Sequence, residues 1–292
     1  MNAAANRIQG TTLTRRMEAT AMEVDSLNKI KAPYERKANI IRSAKLPKAL
    51  YGCEVAPVNE TALRTLRTAV TRTLTYTTDQ RSSDLTFATA SHGPDLDPEM
   101  SIFARRAMAV RRFFNKSKAN AEKVKCILAV YRSKGEPGMH QHDEQLRDKA
   151  LAGDPATAER AKVRNQCKPK GPIGFLLESI HMQAATLNDN LTIQQWDQQD
   201  IEIIKGPVQM VTPLVGRMAA RNRTKRAEDR RFETKGLTEI DTFATNVKHA
   251  EGVNDENGKV ILRVMQAGSS WTKQLTNKTG RSEEDQCTLC GG

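Results

Sequence analysis

The chain has 292 residues, of which only 38% are hydrophobic and 4% aromatic, so its core should be thin for its length and its helices polar outside. The sequence has no apolar run of about 18 residues and no apolar signal core in residues 1–30, which speaks against a membrane protein and a secreted one. The net charge of +12 favours a polyanionic partner through counterion release, although a merely soluble basic protein can have the same charge.

The first helical pattern covers residues 12–46, as one long helix or two. Thr12 or Thr14 can cap it, and Pro33 predicts a kink or break, because proline lacks the amide that a continuous helix needs. The apolar positions recur at helical spacing: Met17, Ala21, Val24, Leu27 and Ile30.

The segment from Lys37 to Val55 is the most informative part of the chain. Its first half has a helical pattern with basic residues around it, and Pro47 predicts that this pattern is interrupted. The Tyr51-Gly52 step predicts a second break. Another helix follows, with Asn59 as its cap and an apolar stripe of Leu63, Leu66, Val70 and Leu74.

These residues resemble the segment that follows the polymerase palm in reverse transcriptases of non-LTR (LINE-type) retrotransposons. The matching strings are Ile41-Arg42-Ser43, Leu46-Pro47-Lys48-Ala49-Leu50 and Tyr51-Gly52-Cys53-Glu54, followed by the Leu63/Leu66 helix. In that family the segment belongs to a helical thumb that grips the template–primer duplex. The resemblance therefore implies nucleic-acid contacts here, from Arg36, Lys37, Lys45, Lys48, Arg64 and Arg67.

The middle of the chain combines a turn-rich stretch with a basic helical block. Turn signals such as Asp97-Pro98 cluster in residues 79–100. Phe113 and Phe114 fall at helical spacing with Val110, which favours the core, with stacking on nucleic-acid bases as the alternative. The helix predicted at about 99–133 should bury Ile102, Phe103, Ala107, Val110, Phe114, Val124, Ile127, Leu128 and Tyr131.

The second half begins after residues 134–172, which have few large apolar groups and read as a linker with a polar helix at 156–166. A helix should run from Ile173 to about Leu187, whereas residues 191–204 fit both helix and strand. Further helices are predicted at 211–232, 238–250 and 259–266.

The helix predicted at 211–232 is very basic. Arginines one helical turn apart suit phosphate contacts, which position a nucleic acid without reading its sequence. A solvated face and a nuclear-localisation stretch are the alternatives. The candidate contacts are Arg217, Arg221, Arg223, Lys225 and Arg226, continued by Arg230 and Arg231.

Cys287 and Cys290 close the chain in a Cys-x2-Cys-Gly spacing that is typical of a zinc knuckle, whose tetrahedral metal needs four ligands. The retroelement family has a similar pair after the thumb, completed downstream, so the resemblance implies half of a zinc site here. An incidental pair and a redox pair are the alternatives. The other cysteines are scattered, which favours a reducing intracellular setting, nuclear or cytoplasmic.

The sequence contains no Asp-Asp pair, whereas polymerase chemistry needs paired aspartates that hold two magnesium ions. We therefore predict no catalytic residues and no polymerase activity for the chain on its own. Magnesium belongs to the palm of the parent polymerase, which the resemblance places upstream. No motif for a small-molecule substrate is evident.

These patterns predict a mainly α protein that binds RNA or an RNA–DNA hybrid as a fragment of a reverse transcriptase truncated at both ends. A stand-alone basic nucleic-acid-binding module and a helical scaffold for protein partners are the alternatives. The predicted parts are a thumb-like helical bundle (1–78), a basic helical region (79–133), a linker (134–172), a helical connection region (173–286) and a partial zinc knuckle (287–292).

Overall fold

The computed structural model describes residues 11–75, 82–90, 93–134, 170–183, 185–194 and 200–230. Over these residues the protein is mainly α-helical, as predicted, with one small antiparallel sheet in the order β1-β2-β3. The helices are α1 (Thr12–Ser26), α2 (Tyr34–Ile40), α3 (Leu46–Ala49), α4 (Glu60–Thr75), α5 (Ser83–Thr89), α6 (Gly93–Leu96), α7 (Pro98–Lys116), α8 (Lys118–Lys134), α9 (Gly171–Met182) and α10 (Val208–Arg230). The strands are β1 (Thr186–Leu187), β2 (Thr192–Gln194) and β3 (Ile201–Glu202).

Helix α1 forms where the apolar periodicity predicts it. The hydroxyl of Thr11 caps it by accepting a hydrogen bond from the amide of Thr14 at 3.2 Å. A short 3-10 turn at Leu27–Lys29 separates α1 from α2, which begins after Pro33, so the predicted break is confirmed. Ile30 lies beyond the helix and is 53% exposed, contrary to the predicted stripe, whereas the residues within α1 are buried: Leu13, Met17, Ala21 and Val24.

The predicted interruption at Pro47 is wrong, because a π-helical turn carries the helix past it. Residues Ile41–Lys45 form this turn between α2 and α3, and the amide of Leu46 donates to the carbonyl of Ile41. A proline inside an α-helix meets the carbonyl four residues before it, and a local π-turn is one way in which a helix absorbs such a disruption. Pro47 also lies in the first turn of α3, where its missing amide costs little.

The second predicted break, at Tyr51-Gly52, is confirmed. Helix α3 ends at Ala49, and Gly52 adopts a φ of +85°, in the left-handed region that a side chain disfavours. A Cβ atom at this position would meet only the Arg16 side chain, at 3.8 Å. A larger residue is therefore opposed by backbone strain and not by crowding.

We expect Gly52→Ala to lower the free energy of unfolding by roughly 1–2 kcal/mol, the cost of holding alanine in the left-handed region. Urea denaturation at equilibrium measures the loss. Gly52→Asn is the matched control and should lose less, because asparagine tolerates this conformation better than alanine does. Equal stability of Gly52→Ala and the unchanged protein would contradict the prediction.

Helix α4 begins as predicted at Asn59, whose side-chain oxygen accepts a hydrogen bond from the amide of Ala62 at 2.9 Å. Its predicted apolar stripe is buried, and it packs mainly against α1. On the opposite side of the helix, Arg64 and Arg72 are exposed, as the periodicity predicts, and Arg67 is half-buried at the border.

Helices α1 to α4 form one three-helix unit, in which α2 and α3 act as a single helix. Near the start of α1, Arg16 donates to the carbonyl of Tyr51 at 2.7 Å, whereas Glu23 near its end pairs with Lys45. The α2–α3 helix therefore runs antiparallel to α1. Arg72 at the end of α4 pairs with the end of α1 through Asp25, so α1 and α4 run parallel.

The stretch at 79–100, predicted as turns, contains helices α5 and α6 among its described residues. The hydroxyl of Ser82 caps α5, and the carboxylate of Asp97 caps α7 by accepting from the amide of Glu99 at 3.0 Å. Serine and aspartate bind backbone amides in turns and at helix starts alike, so the turn reading missed two N-caps. Pro98 then occupies the first position of α7, where proline is favoured.

The helical block predicted at 99–133 is divided at Ser117, an extended residue that links α7 directly to α8. Val110 and Val124, seven residues on either side of it, are both buried in one hydrophobic core. Helices α7 and α8 therefore pack as a hairpin. Ile127, which was predicted to be buried, is 40% exposed on the outer face of α8.

This core joins the hairpin to α9, the sheet and α10. Helix α9 ends at Met182, before the predicted Leu187, and strands β2 and β3 lie within the ambiguous range 191–204. The basic helix predicted at 211–232 is confirmed as α10, which packs against α5 and α7. The helices predicted at 156–166, 238–250 and 259–266 lie outside the described residues.

Candidate nucleic-acid interface

The contacts predicted in the N-terminal helices lie in different environments. Arg36 and Arg64 are exposed, and no carboxylate lies within ion-pair distance of either one in the described part of the chain. Lys45 and Lys48 both pair with Glu23, and hydrogen bonds from these two lysines lower the pKa of Glu23 to about 2.

The other two predicted contacts of this region, Lys37 and Arg67, are turned away from solvent. Lys37 is 4% exposed, and burial lowers its pKa. Arg67 is 14% exposed in its side chain and belongs to a network of carboxylates and guanidinium groups. Within this set, Arg36 and Arg64 can therefore bind a phosphate without first breaking an ion pair with a carboxylate.

This network, the charge cluster, brings together three carboxylates and three guanidinium groups from distant parts of the sequence. Its members are Arg67, Asp84, Asp97, Glu99, Arg223 and Arg226. Helices α4, α5, α7 and α10 each contribute, and Asp97 is the N-cap of α7. Equal numbers of opposite charges make the cluster neutral.

Arg67 lies among all three carboxylates. Its Nη2 donates to Asp84 Oδ1 at 2.8 Å and its Nε to Asp97 Oδ1 at 3.1 Å. Its Nη1 lies 3.3 Å from Glu99 Oε2. The same guanidinium group lies over the ring of Phe87, 5.3 Å from the centroid. Arg67 is thus held on every side by partners within the protein.

Helix α10 supplies the other two cations. Arg223 Nη1 donates to Asp97 Oδ2 at 2.9 Å, and both side chains are 1% exposed. Arg226 donates through Nη1 to Glu99 Oε1 at 3.0 Å and through Nη2 to Asp84 Oδ1 at 3.2 Å. These bonds fix the middle of α10 onto α5 and the start of α7.

The pKa directions within the charge cluster agree with its geometry. Burial alone would raise the pKa of Asp97, but Arg67, Arg223 and Arg226 together hold it below its ordinary value. Burial alone would lower the pKa of Arg67, but Asp97, Glu99 and Asp84 raise it. Asp97 and Arg67 are therefore both charged at neutral pH, where each depends on its partners because an unpaired buried charge is costly.

The basic stripe predicted on α10 is therefore divided between two environments. Arg217 is exposed and Arg221 is half-buried, whereas Arg223 and Arg226 point into the charge cluster. The side chain of Lys225 lies outside the described residues. Phosphate binding by these five residues stays a prediction, but Arg223 and Arg226 would have to leave their carboxylates to perform it.

Sequence reasoning missed the three carboxylates of the charge cluster. Asp84 and Asp97 lie in the stretch read as turns, and Glu99 follows Asp97 at the start of α7. Their arginine partners are as many as 142 residues away in the sequence. The one available signal was the pair Asp97-Pro98, which is typical of an N-cap followed by proline at the first helical position.

Another buried arginine, Arg106, lines a cleft between α4, α7 and α9. Its guanidinium group donates to the carbonyls of Cys53 and Phe175 and to the hydroxyl of Ser179, at 2.8–3.2 Å. Burial raises the pKa of Glu178 beside it, although Arg106 opposes this shift. The bonds tie the turn before α4 to α9, and the cleft carries no pairing of a nucleophile with a base.

The cysteines of the described residues are free thiols. Cys53, in the segment that carries the family resemblance, is buried, and burial raises its pKa to about 12, so it is a poor nucleophile. Cys287 and Cys290 lie outside the described residues, and zinc binding by them stays a prediction. Within the described ranges, no group of three or more His, Cys, Asp or Glu side chains is arranged to hold a metal ion.

The described residues define a mainly helical protein with a neutral buried charge cluster and scattered exposed cations. None of its described helices has both the length and the apolarity needed to cross a bilayer. No family model matches the chain, and no curated protein or solved structure is significantly similar to it. Function must therefore be inferred from the residues and their geometry.

Proposed function

We propose that the protein is a nucleic-acid-binding piece of a LINE-type reverse transcriptase and that it contacts RNA or an RNA–DNA hybrid through residues 12–75. The segment that resembles the family folds with α1 and α4 into one helical unit, which fits the helical thumb that the resemblance implies. The observation that carries the proposal is the exposure of Arg36 and Arg64 without a carboxylate partner in the described residues.

The contacts are electrostatic and directed at the phosphate backbone. An unpaired guanidinium group offers five donors in a rigid fork that matches phosphate oxygens. Such contacts position a duplex and carry no base sequence information. Polymerisation is assigned to the parent reverse transcriptase, and the pair Cys287 and Cys290 to half of its zinc knuckle.

Titration of a fluorescent RNA–DNA hybrid at several salt concentrations tests the proposal. The hybrid should bind more tightly than single strands of the same sequence, and the logarithm of the affinity should fall linearly with the logarithm of salt. Arg36→Ala with Arg64→Ala should reduce the salt slope by about 2, or about 1 for each phosphate contact that is lost.

Arg72→Ala is the matched control, because Arg72 is exposed on the same helix as Arg64 but is paired with Asp25. It should change the salt slope much less. Binding without a preference for the hybrid would favour a stand-alone basic module. Failure to bind any nucleic acid at low salt would exclude both readings.

One observation favours the remaining candidate, a helical scaffold for protein partners. Ile127 and Val130 lie about one turn apart on α8 and are 40% and 52% exposed. Exposed apolar side chains of this kind can form the centre of a protein interface, although scattered ones are common on any surface. The binding experiment separates this candidate from the proposed function.

A further inference from the structure

Among the described residues, exposed positive charge is concentrated at the tip of the α7–α8 hairpin. Residues 112–125 contain five cations and only one anion, Glu122. No residue between Arg111 and Lys123 is buried, so this tip projects from the body of the protein. The hairpin tip was part of the basic block in the sequence, where base stacking by Phe113 and Phe114 was an alternative, but its cations were not among the predicted contacts.

Some exposed cations elsewhere in the described residues are paired with a carboxylate, as Arg72 is with Asp25. Like Arg36 and Arg64, four cations of the hairpin tip have no carboxylate within ion-pair distance among the described residues: Arg112, Lys116, Lys118 and Lys123. Lys125, which pairs with Glu122 at 3.4 Å, is the exception within the tip.

An exposed aromatic ring lies within this patch. Phe113 is 43% exposed, contrary to the core position that the sequence favoured, whereas Phe114 is partly buried and packs against the core. Arg112 and Lys116 are one helical turn apart, and Phe113 lies between them in the sequence, three residues before Lys116. Ring and cations therefore share one surface of α7.

The hairpin is rigidly fixed at its base. Arg111 Nη1 donates to the carbonyls of Ile203 and Gly206, both at 2.6 Å, which ties the end of α7 to the loop between β3 and α10. Arg132 on α8 donates to the carbonyl of Leu187 at 3.0 Å and pairs with Asp189. The patch is thus presented on fixed helices and not on a loop.

We propose that the hairpin tip is a docking surface for single-stranded nucleic acid, with its unpaired lysines and Arg112 on the phosphates and Phe113 stacked on a base. Single strands are favoured over a duplex because only unpaired bases can present a face to an exposed ring. The inference rests on the proposed function for the class of its partner, but it uses residues outside the unit at 12–75.

Binding of labelled single-stranded RNA, single-stranded DNA and a blunt RNA–DNA hybrid tests the inference. Lys116→Gln with Lys118→Gln should weaken single-strand binding about tenfold and reduce the salt slope by about 1–2, because each lost phosphate contact contributes about 0.7. Phe113→Leu should weaken it at least about fivefold with little change in the slope, since stacking is not ionic. Both should bind the blunt hybrid nearly as well as the unchanged protein does.

Lys170→Gln with Lys205→Gln is the matched control, because it removes two exposed lysines that lie outside both the hairpin tip and residues 12–75. It should reduce single-strand affinity much less than the hairpin variants do. Equal losses would show a general effect of net charge and overturn the inference. Tight binding to vesicles of phosphatidylserine, weakened by the hairpin variants while RNA binding is unchanged, would also overturn it.

The two proposals fail separately. Loss of single-strand binding in the hairpin variants, together with no preference for the hybrid and no effect of Arg36→Ala, supports the hairpin surface and contradicts the thumb-like function. The reverse pattern contradicts the hairpin surface alone. Comparison of RNA with DNA single strands shows which sugar the hairpin tip prefers.

Discussion

Replacing Arg223 by methionine should lower the free energy of unfolding by about 3–5 kcal/mol, because it removes one of the two arginines that bond Asp97 and leaves the buried network with one more negative than positive charge. Arg223 and Asp97 are each 1% exposed and lie 2.9 Å apart. Methionine matches the aliphatic part of arginine but lacks the guanidinium group, so the loss combines the removed charge with the space that this group leaves. Equilibrium denaturation in urea measures the loss. The slope of the free energy of unfolding against urea concentration should be unchanged.

Arg217→Met is the control for this prediction. It makes the same change on the same helix at an exposed position, where substitutions usually alter stability by less than about 0.5 kcal/mol. The double variant Arg223→Met with Asp97→Asn should lose less than the sum of the single changes, with a coupling of about 0.5–3 kcal/mol. Additive losses, or a loss equal to that of Arg217→Met, would contradict the role given to the charge cluster.

Local patterns in the sequence predicted much of the fold. The buried positions of α1 and α4, the cap at Asn59 and the turn at Gly52 follow from residues within one or two turns of each other. Pro47 was predicted to interrupt the helix, which is the usual local effect of proline. The prediction was wrong because the π-turn that accommodates Pro47 has no distinct sequence signal. Ser117 likewise ends α7 without the glycine or proline that usually marks such a point.

The charge cluster could not be predicted in this way. Arg223 and Asp97 are 126 residues apart, and an arginine on a helix looks the same in the sequence whether its partner is a phosphate or a buried carboxylate. The sequence therefore counted Arg67, Arg223 and Arg226 among the nucleic-acid contacts. Only the three-dimensional arrangement distinguishes paired cations from unpaired ones. It leaves Arg36, Arg64 and the hairpin tip as the candidate contacts.

The difference between paired and unpaired cations matters for the salt dependence of binding. Net charge alone suggests that any cation of the chain can contribute to binding, since counterion release depends on the phosphates that are neutralised. A cation already neutralised by a carboxylate releases few counterions from nucleic acid. The unpaired cations, and not the total of +12, should therefore determine the salt dependence of binding.

Acid should destabilise the protein through Asp97. Arg67, Arg223 and Arg226 hold the pKa of Asp97 below its ordinary value in the folded state, against the opposing effect of burial. The unfolded chain, with a pKa near 3.9, therefore binds the proton more readily than the folded protein does. The stability that this carboxylate contributes is complete above the unfolded pKa and is lost as the pH falls through the folded one.

Asp97→Asn tests this prediction, because asparagine keeps the N-cap of α7 and removes the titrating charge. The variant should be less stable than the unchanged protein at about pH 6, and the two should approach each other as the pH falls below about 4. Glu23, with a pKa of about 2, contributes in the same direction, but it is partly exposed and its effect should weaken in high salt. Asp84 and Glu99 each pair with Arg67 and Arg226, and these four ion pairs do not involve the substituted side chain. If the free energies of unfolding of the two proteins changed in parallel over this pH range, the prediction that the three arginines stabilise the charge of Asp97 would be wrong.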